Sequence, residues 1–236
     1  MNLPSLVAFE AFLRSDGPWL AALDFPFGLP RKLIDNLGWP SSWEDYMRII
    51  AAMSKQEFES IIDRYRSTRP AGDKLHLRAT DVLAGARSPM MLHRVPVGKM
   101  FYQGATRLLA SPMSVLPCRP TGDSRMVVEG YPALVARRLI GKRAYKSDER
   151  GKQSEEQREA RREMVDKLRS GQLREAYALT VELPGDIEQS LIEDAMGDRM
   201  DAVLCAAQAG WAYLERERGY GLPFTCDKDE GWIVDH

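Results

Sequence analysis

Three carboxylates stand where residue type and spacing could do chemistry together. Asp24 follows the short apolar run WLAAL (19–23) and precedes the turn FPFG. Glu129 follows MVV (126–128) and precedes Gly130 and Pro132. Asp201 opens the most apolar helical stretch, 200–218, with Asp198 one turn earlier. In open α/β sheets, ligands gather beyond the carboxyl ends of the strands. Acids converging there repel one another unless a cation lies between them. A hard cation such as Mg²⁺ (or Mn²⁺) takes a few carboxylates with water and phosphate oxygens. Two such ions, roughly 3.5–4 Å apart, would stabilise the attacking and leaving oxygens of a phosphodiester displacement. Asp24, Glu129 and Asp201 are therefore the expected metal ligands and catalytic acids. Each also has a plainer reading. Asp24 before Pro26 could cap a turn, Glu129 could pair with Arg137 or Arg138, and Asp201 could serve the helix dipole.

The elements that must carry these acids follow from periodicity. Leu6, Phe9 and Leu13 recur at helical spacing after Pro4, with Ser5 as a cap and Asp16-Gly17 as the stop. Trp19–Leu23 reads as a buried strand that delivers Asp24. Residues 41–67 read as two helices, the second capped by Ser54, and 99–110 as another. Residues 68–99 read as irregular. Met126–Val128 repeats the strand pattern, and Pro132–Ile140 reads as a helix ended by Gly141. Residues 154–169 form a charged helix with Ala160, Met164 and Leu168 on one face and its arginines solvated. The small residues of 200–218 predict close packing on a sheet.

Composition bounds the class. With 44% hydrophobic and 28% charged residues the chain has ordinary globular usage, and its length suits a sizeable core. The net charge of -1 gives no global field for nucleic acid. Locally, 137–152 holds seven basic residues against two acids. If that stretch lines the cleft of the three acids, a polymeric anion fits. If it faces away, or pairs with the glutamates at 155–163, nucleic acid loses its main electrostatic support. Cys118, Cys205 and Cys226 form no CxxC pair and predict neither disulfides nor zinc. His76, His93 and His236 lack ligand spacing. There is no GxSxG, GxGxxG or P-loop. The first residues lack a basic n-region, and no run of about 18 apolar residues occurs, so neither a signal peptide nor a membrane span is expected. A cytoplasmic location is the corresponding expectation.

Several long strings carry a resemblance. DFPFGLPR (24–31), LHLRATD (75–81), RSPMML (87–92), VGKMFYQGATRLL (97–109), VVEGYPALVARRLIGKRAYKSD (127–148), GDRMDAVLCAAQAGWAY (197–213) and EGWIVD (230–235) are similar to domain-of-unknown-function family 429. That family is described as predicted ribonuclease-H-like nucleases, and the likeness covers nearly the whole chain. It implies a ribonuclease-H-like mixed sheet flanked by helices, in one domain (1–236), with a helical and irregular insertion at about 32–110. The family's acidic positions fall on Asp24, Glu129 and Asp201. Arg78 and Asp81 in RATD, and Tyr145, Lys146 and Asp148 in AYKSD, match other motif positions. Arg78, Tyr145 and Lys146 would contact substrate, or else only order loops. The resemblance also implies that the strands opening this fold, roughly 30–50 residues with a further Asp, are missing here. Such a form would bind Mg²⁺ weakly, and a second copy could cover the exposed sheet edge. The expected function is metal-dependent phosphodiester hydrolysis on nucleic acid. The alternatives are a truncated, inactive binding or structural protein, and a hydrolase or phosphotransferase of small phosphorylated molecules.

Overall fold

The computed structural model describes residues 3 and 5–235; Pro4 and His236, named above, lie outside the described residues. The chain divides into two compact units: residues 5–129 with Leu222–Val234, and Gly130–Gly221 with Asp235.

The first unit holds the sheet. Helix α1 (Leu6–Leu13) starts at Ser5, whose hydroxyl accepts the Ala8 N–H, and buries Leu13. Strand β1 (Trp19–Leu23) follows, then α2 (Arg31–Asn36), α3 (Trp43–Ala51), α4 (Lys55–Ser67), α5 (Ala79–Ala84) and α6 (Val97–Leu109). Two strands close the unit, β2 (Ser114–Leu116) and β3 (Arg125–Glu129). The strand order is β1-β3-β2, with both pairings parallel. The expected α/β class is therefore present, but among the described residues the sheet is parallel, not mixed. Val127 and Val128 of the central strand are fully buried. Each such side chain contributes about 1.5–3 kcal/mol by leaving water. β1 was expected to be buried; its five residues are only half-buried, because it pairs on one side alone.

Local chemistry explains most of these boundaries. Ser54 and Glu57 form a reciprocal capping box at α4, satisfying two amides that a helix start leaves open. Three elements of this unit, α2, α5 and β2, are not marked by the sequence. β2 has three residues, too few to show a period. α5 has six, and its N-terminus is capped by Arg78 and Asp81, not by a serine. The core gathers Phe27, Trp43, Tyr46, Phe58 and Phe101. The C-terminal segment is tied to this unit through Arg31, which donates to Asp227 at 2.6 and 2.9 Å and to Asp229 at 3.0 Å.

The second unit is helical: α7 (Pro132–Ile140), α8 (Glu155–Arg169), α9 (Leu173–Tyr177), α10 (Gly185–Glu193) and α11 (Asp198–Leu214). α7 begins on Pro132 and stops at Gly141, whose φ is +68°. α8 buries Ala160, Met164 and Leu168, as its periodicity implied. Arg161 corrects the reading of its arginines as solvated. It is 3% exposed and donates to the carbonyls of Ile192 (2.8 Å) and Tyr145 (2.6 Å). α11 packs on α7, α9 and α10 within this unit. No helix among the described residues is long and apolar enough to cross a membrane.

Surface ion pairs set the expected acid response. Lys32 and Arg69 hold the Asp73 carboxyl down to about 2, from an ordinary 3.8. Arg125 does the same for Asp123, also to about 2. Arg143 and Lys167 bring Glu163 from 4.5 to about 2. A carboxyl with a depressed folded pKa adds stability above its unfolded value and loses it as pH falls through the folded one. The melting temperature should therefore drop steadily between pH 4.5 and 2. The combined variant Asp73→Asn, Asp123→Asn, Glu163→Gln should show a shallower drop over the same range. An unchanged slope would mean that these pairs do not couple to folding.

Candidate functional site

In the first unit, β1 and β3 end side by side, with Leu23 in register with Glu129. Asp24 follows Leu23 directly and is half-buried. The strand-end acids are thus delivered by a pair of parallel strands, as their shared sequence pattern implied. Glu129 is the last residue of β3 and is 2% exposed.

What surrounds Glu129 decides its chemistry. Its Oε1 accepts from Arg78 Nη2 at 2.6 Å, and its Oε2 from Arg78 Nη1 at 2.8 Å. Oε2 also accepts the Phe27 N–H at 2.9 Å, from the FPFG turn. Arg78 is itself 1% exposed. Its Nη2 also donates to Asp81 at 2.7 Å, its Nη1 to the Glu230 carbonyl at 3.0 Å, and its Nε to Asp81 at 3.1 and 3.2 Å. A guanidinium has five N–H donors in a fixed fork. All five are spent here. Asp81, 1% exposed, also accepts the Arg78 backbone N–H at 2.9 Å and so caps α5.

The second layer holds this cluster in place. Glu230 accepts the Arg31 and Ala79 N–H groups, and burial pushes its carboxyl up. Gly28 lets the C-terminal segment close over the turn: a Cβ there would lie 2.5 Å from the Glu230 carbonyl oxygen. Val234 N–H then donates to the Glu129 carbonyl at 2.9 Å. Burial pushes the Glu129 carboxyl up, and the bidentate Arg78 opposes that push. Desolvation likewise raises the thiol of Cys118.

In the second unit, Asp201 lies in the first turn of α11 and is 8% exposed. Its Oδ1 accepts the Tyr145 hydroxyl at 2.5 Å, and its Oδ2 accepts Lys146 Nζ. Burial pushes this carboxyl up, while Lys146 and Tyr145 draw it down. The backbone of 145–146 is pinned by Arg161 and by Gln157, which donates to the Lys146 carbonyl at 3.2 Å. Gly197 precedes α11 with φ +74°, and a Cβ on it would lie 2.8 Å from the Lys146 side chain. Glycine is therefore what lets Lys146 reach across the start of α11.

A second buried carboxylate here had no role in the sequence reading. Asp235, in EGWIVD, accepts from Tyr177 at 2.6 Å and from Arg138 at 3.1 Å. Nothing in its local spacing announces those partners, because both arrive from distant helices.

The structure brings Glu129 together with Arg78 and Asp81, and Asp201 together with Tyr145 and Lys146. Asp24 and Glu129 belong to the first unit and Asp201 to the second. Among the described residues, no group of three or more His, Cys, Asp or Glu side chains is placed to hold a metal ion. A cation at Glu129 would have to displace Arg78 and strand a buried guanidinium. Glu129, with both oxygens held by Arg78, does not as arranged fit the divalent ion that the resemblance implied. Four of the seven basic residues in 137–152 are held in ion pairs. Arg143 pairs with Glu163, Lys152 with Glu149, Arg138 with Asp235 and Lys146 with Asp201.

Fold and site thus define an α/β protein whose parallel strand ends close over a buried arginine–carboxylate cluster. The chain belongs to the family described as "Protein of unknown function (DUF429)", whose model matches residues 6–223. No curated protein and no solved structure matches it.

Proposed function

We propose that this chain is a ribonuclease-H-like protein that works by binding, and that its strand-end acid Glu129 holds the framework together instead of serving metal-dependent phosphodiester hydrolysis. The parallel pair β1 and β3, with an acid at the end of each, supports the ribonuclease-H-like reading. One observation carries the rest: both Glu129 oxygens are held by Arg78, a residue with no donor left for a phosphate. Opening that pair would leave a buried charge uncompensated, which costs about 3–5 kcal/mol. The pairing of Arg143 with Glu163 removes part of the field that a polyanion would need.

The test is a cleavage assay on labelled single- and double-stranded DNA and RNA, with Mg²⁺, Mn²⁺ or a chelator. We expect background turnover in every condition, equal for wild type, Asp24→Asn and Asp201→Asn. Millimolar Mg²⁺ should leave the melting temperature unchanged. Chelator-sensitive cleavage that is lost in a folded Glu129→Gln variant would overturn the proposal and restore the metal-dependent nuclease.

A further inference from the structure

The second unit also carries a cavity that the reading above leaves unused. It opens between α10 and α11 and has a volume of about 560 Å³, within the roughly 300–1,000 Å³ of small-ligand sites. Five of its nine lining residues are aliphatic. Ile187 and Leu191 stand one turn apart on α10, and Ala202, Val203 and Ala206 face them from α11. The two alanines are four residues apart, so they share one face of the helix and keep that wall low. Leu191 is buried, Val203 half-buried, and Ile187 is 39% exposed, so apolar surface is left open to water.

The same cavity is lined by Asp194, Asp198 and Arg199. Asp194 Oδ2 accepts the Arg199 backbone N–H at 2.9 Å. Among the described residues, none of these three side chains forms a salt bridge. By contrast, Glu188 and Glu193 on α10, which do not line the cavity, pair with Arg169 and Arg158. Two carboxylates against one guanidinium leave the lining with one net negative charge.

We propose that this cavity binds an organic cation with a short aliphatic body. Its ammonium group would sit between Asp194 and Asp198, and its hydrocarbon would lie along Leu191, Val203 and Ala206. An anion of the same shape meets like charge, and a neutral analogue gains only the apolar contact. The absence of an aromatic side chain from the lining favours an aliphatic body over a flat ring.

The test uses hexylammonium, hexanol and hexanoate as matched probes, titrated into the full chain by calorimetry and by chemical-shift mapping. Hexylammonium should bind at least about threefold tighter than hexanol, a gap of the size exposed charges give. That gap should shrink with added salt. Asp198→Asn should remove most of it while the chain stays folded, with at most a small change in melting temperature from the lost helix-dipole contact. Ala206→Trp, at an exposed position, should abolish binding by filling the cavity, and Ala202→Leu provides a second block if the tryptophan disturbs folding. Equal affinity for hexanol and hexylammonium, no binding of hexylammonium, or binding that survives both blocking variants would each overturn the proposal.

Discussion

Arg78→Met should lower folding stability by about 3–5 kcal/mol, the usual cost of removing one partner from a buried ion pair. Methionine keeps much of the volume but takes away all five donors. Glu129 and Asp81, at 2% and 1% exposure, would then face each other with no cation between them. Urea unfolding, followed through the five tryptophans, measures the loss. The partner variant Glu129→Gln separates charge from packing. If the cluster acts as a unit, the double variant should be destabilised by clearly less than the two single losses added together, because neutralising Glu129 removes part of what Arg78 was compensating. A loss below about 1 kcal/mol for Arg78→Met would place it among ordinary surface changes. It would also free Arg78 to meet a ligand, and the structural reading of Glu129 would fail with it.

Lys146→Met should cost about 1–3 kcal/mol near neutral pH, the penalty for leaving a buried acceptor short of a donor. Asp201 would keep the Tyr145 hydroxyl and lose the ammonium group on its other oxygen. The pH dependence identifies the cause. Burial already holds this carboxyl above its ordinary 3.8, and losing Lys146 raises it further. A carboxyl whose folded pKa exceeds its unfolded value favours folding below that unfolded value and loses the contribution as pH rises. The deficit of the variant against wild type should therefore be largest near neutrality and narrow as pH falls toward 3.8. Paired unfolding curves at the two ends of that range decide it. A deficit of equal size at both would mean that Lys146 acts through the packing of its stem over Gly197, not through its charge.

Both variants touch residues that family likeness had marked as substrate contacts. The geometry gives them different work. Arg78 is enclosed and saturated, whereas Lys146 is 34% exposed and faces water along part of its length. Of the two, only Lys146 keeps a surface from which a ligand could be met without breaking the fold.

Local signals in the sequence determined most of the elements near the acids. Ser54 with Glu57 marks the start of α4 by itself, because a capping box needs nothing beyond four adjacent residues. Pro132 and Gly141 bound α7 for the same reason: a fixed φ at one end and a left-handed φ at the other. The runs WLAAL and MVV, each followed by an acid and a breaker, were legible as strands with carboxylates at their ends. β2, α2, α5 and α9 were not legible, since three to six residues carry too little periodicity to stand out from a loop, and the nine residues of α10 were not read as a helix either.

The partners of Glu129, Asp201 and Asp235, by contrast, were decided only by tertiary structure. The sequence offers Arg137 or Arg138 as partners of Glu129, but the arginine that reaches it is Arg78, 51 residues away. Arg78 arrives there because α5 and the C-terminal segment close over the ends of β1 and β3. Asp235 collects Tyr177 and Arg138 across 58 and 97 residues. Spacing along a chain reports which side chains share a strand end or a helix face. It does not report which distant donor will fill a lone pair once water has been excluded. An unpaired carboxylate in a strand-end pattern reads as a metal ligand, and the same carboxylate held by a buried guanidinium is part of the framework.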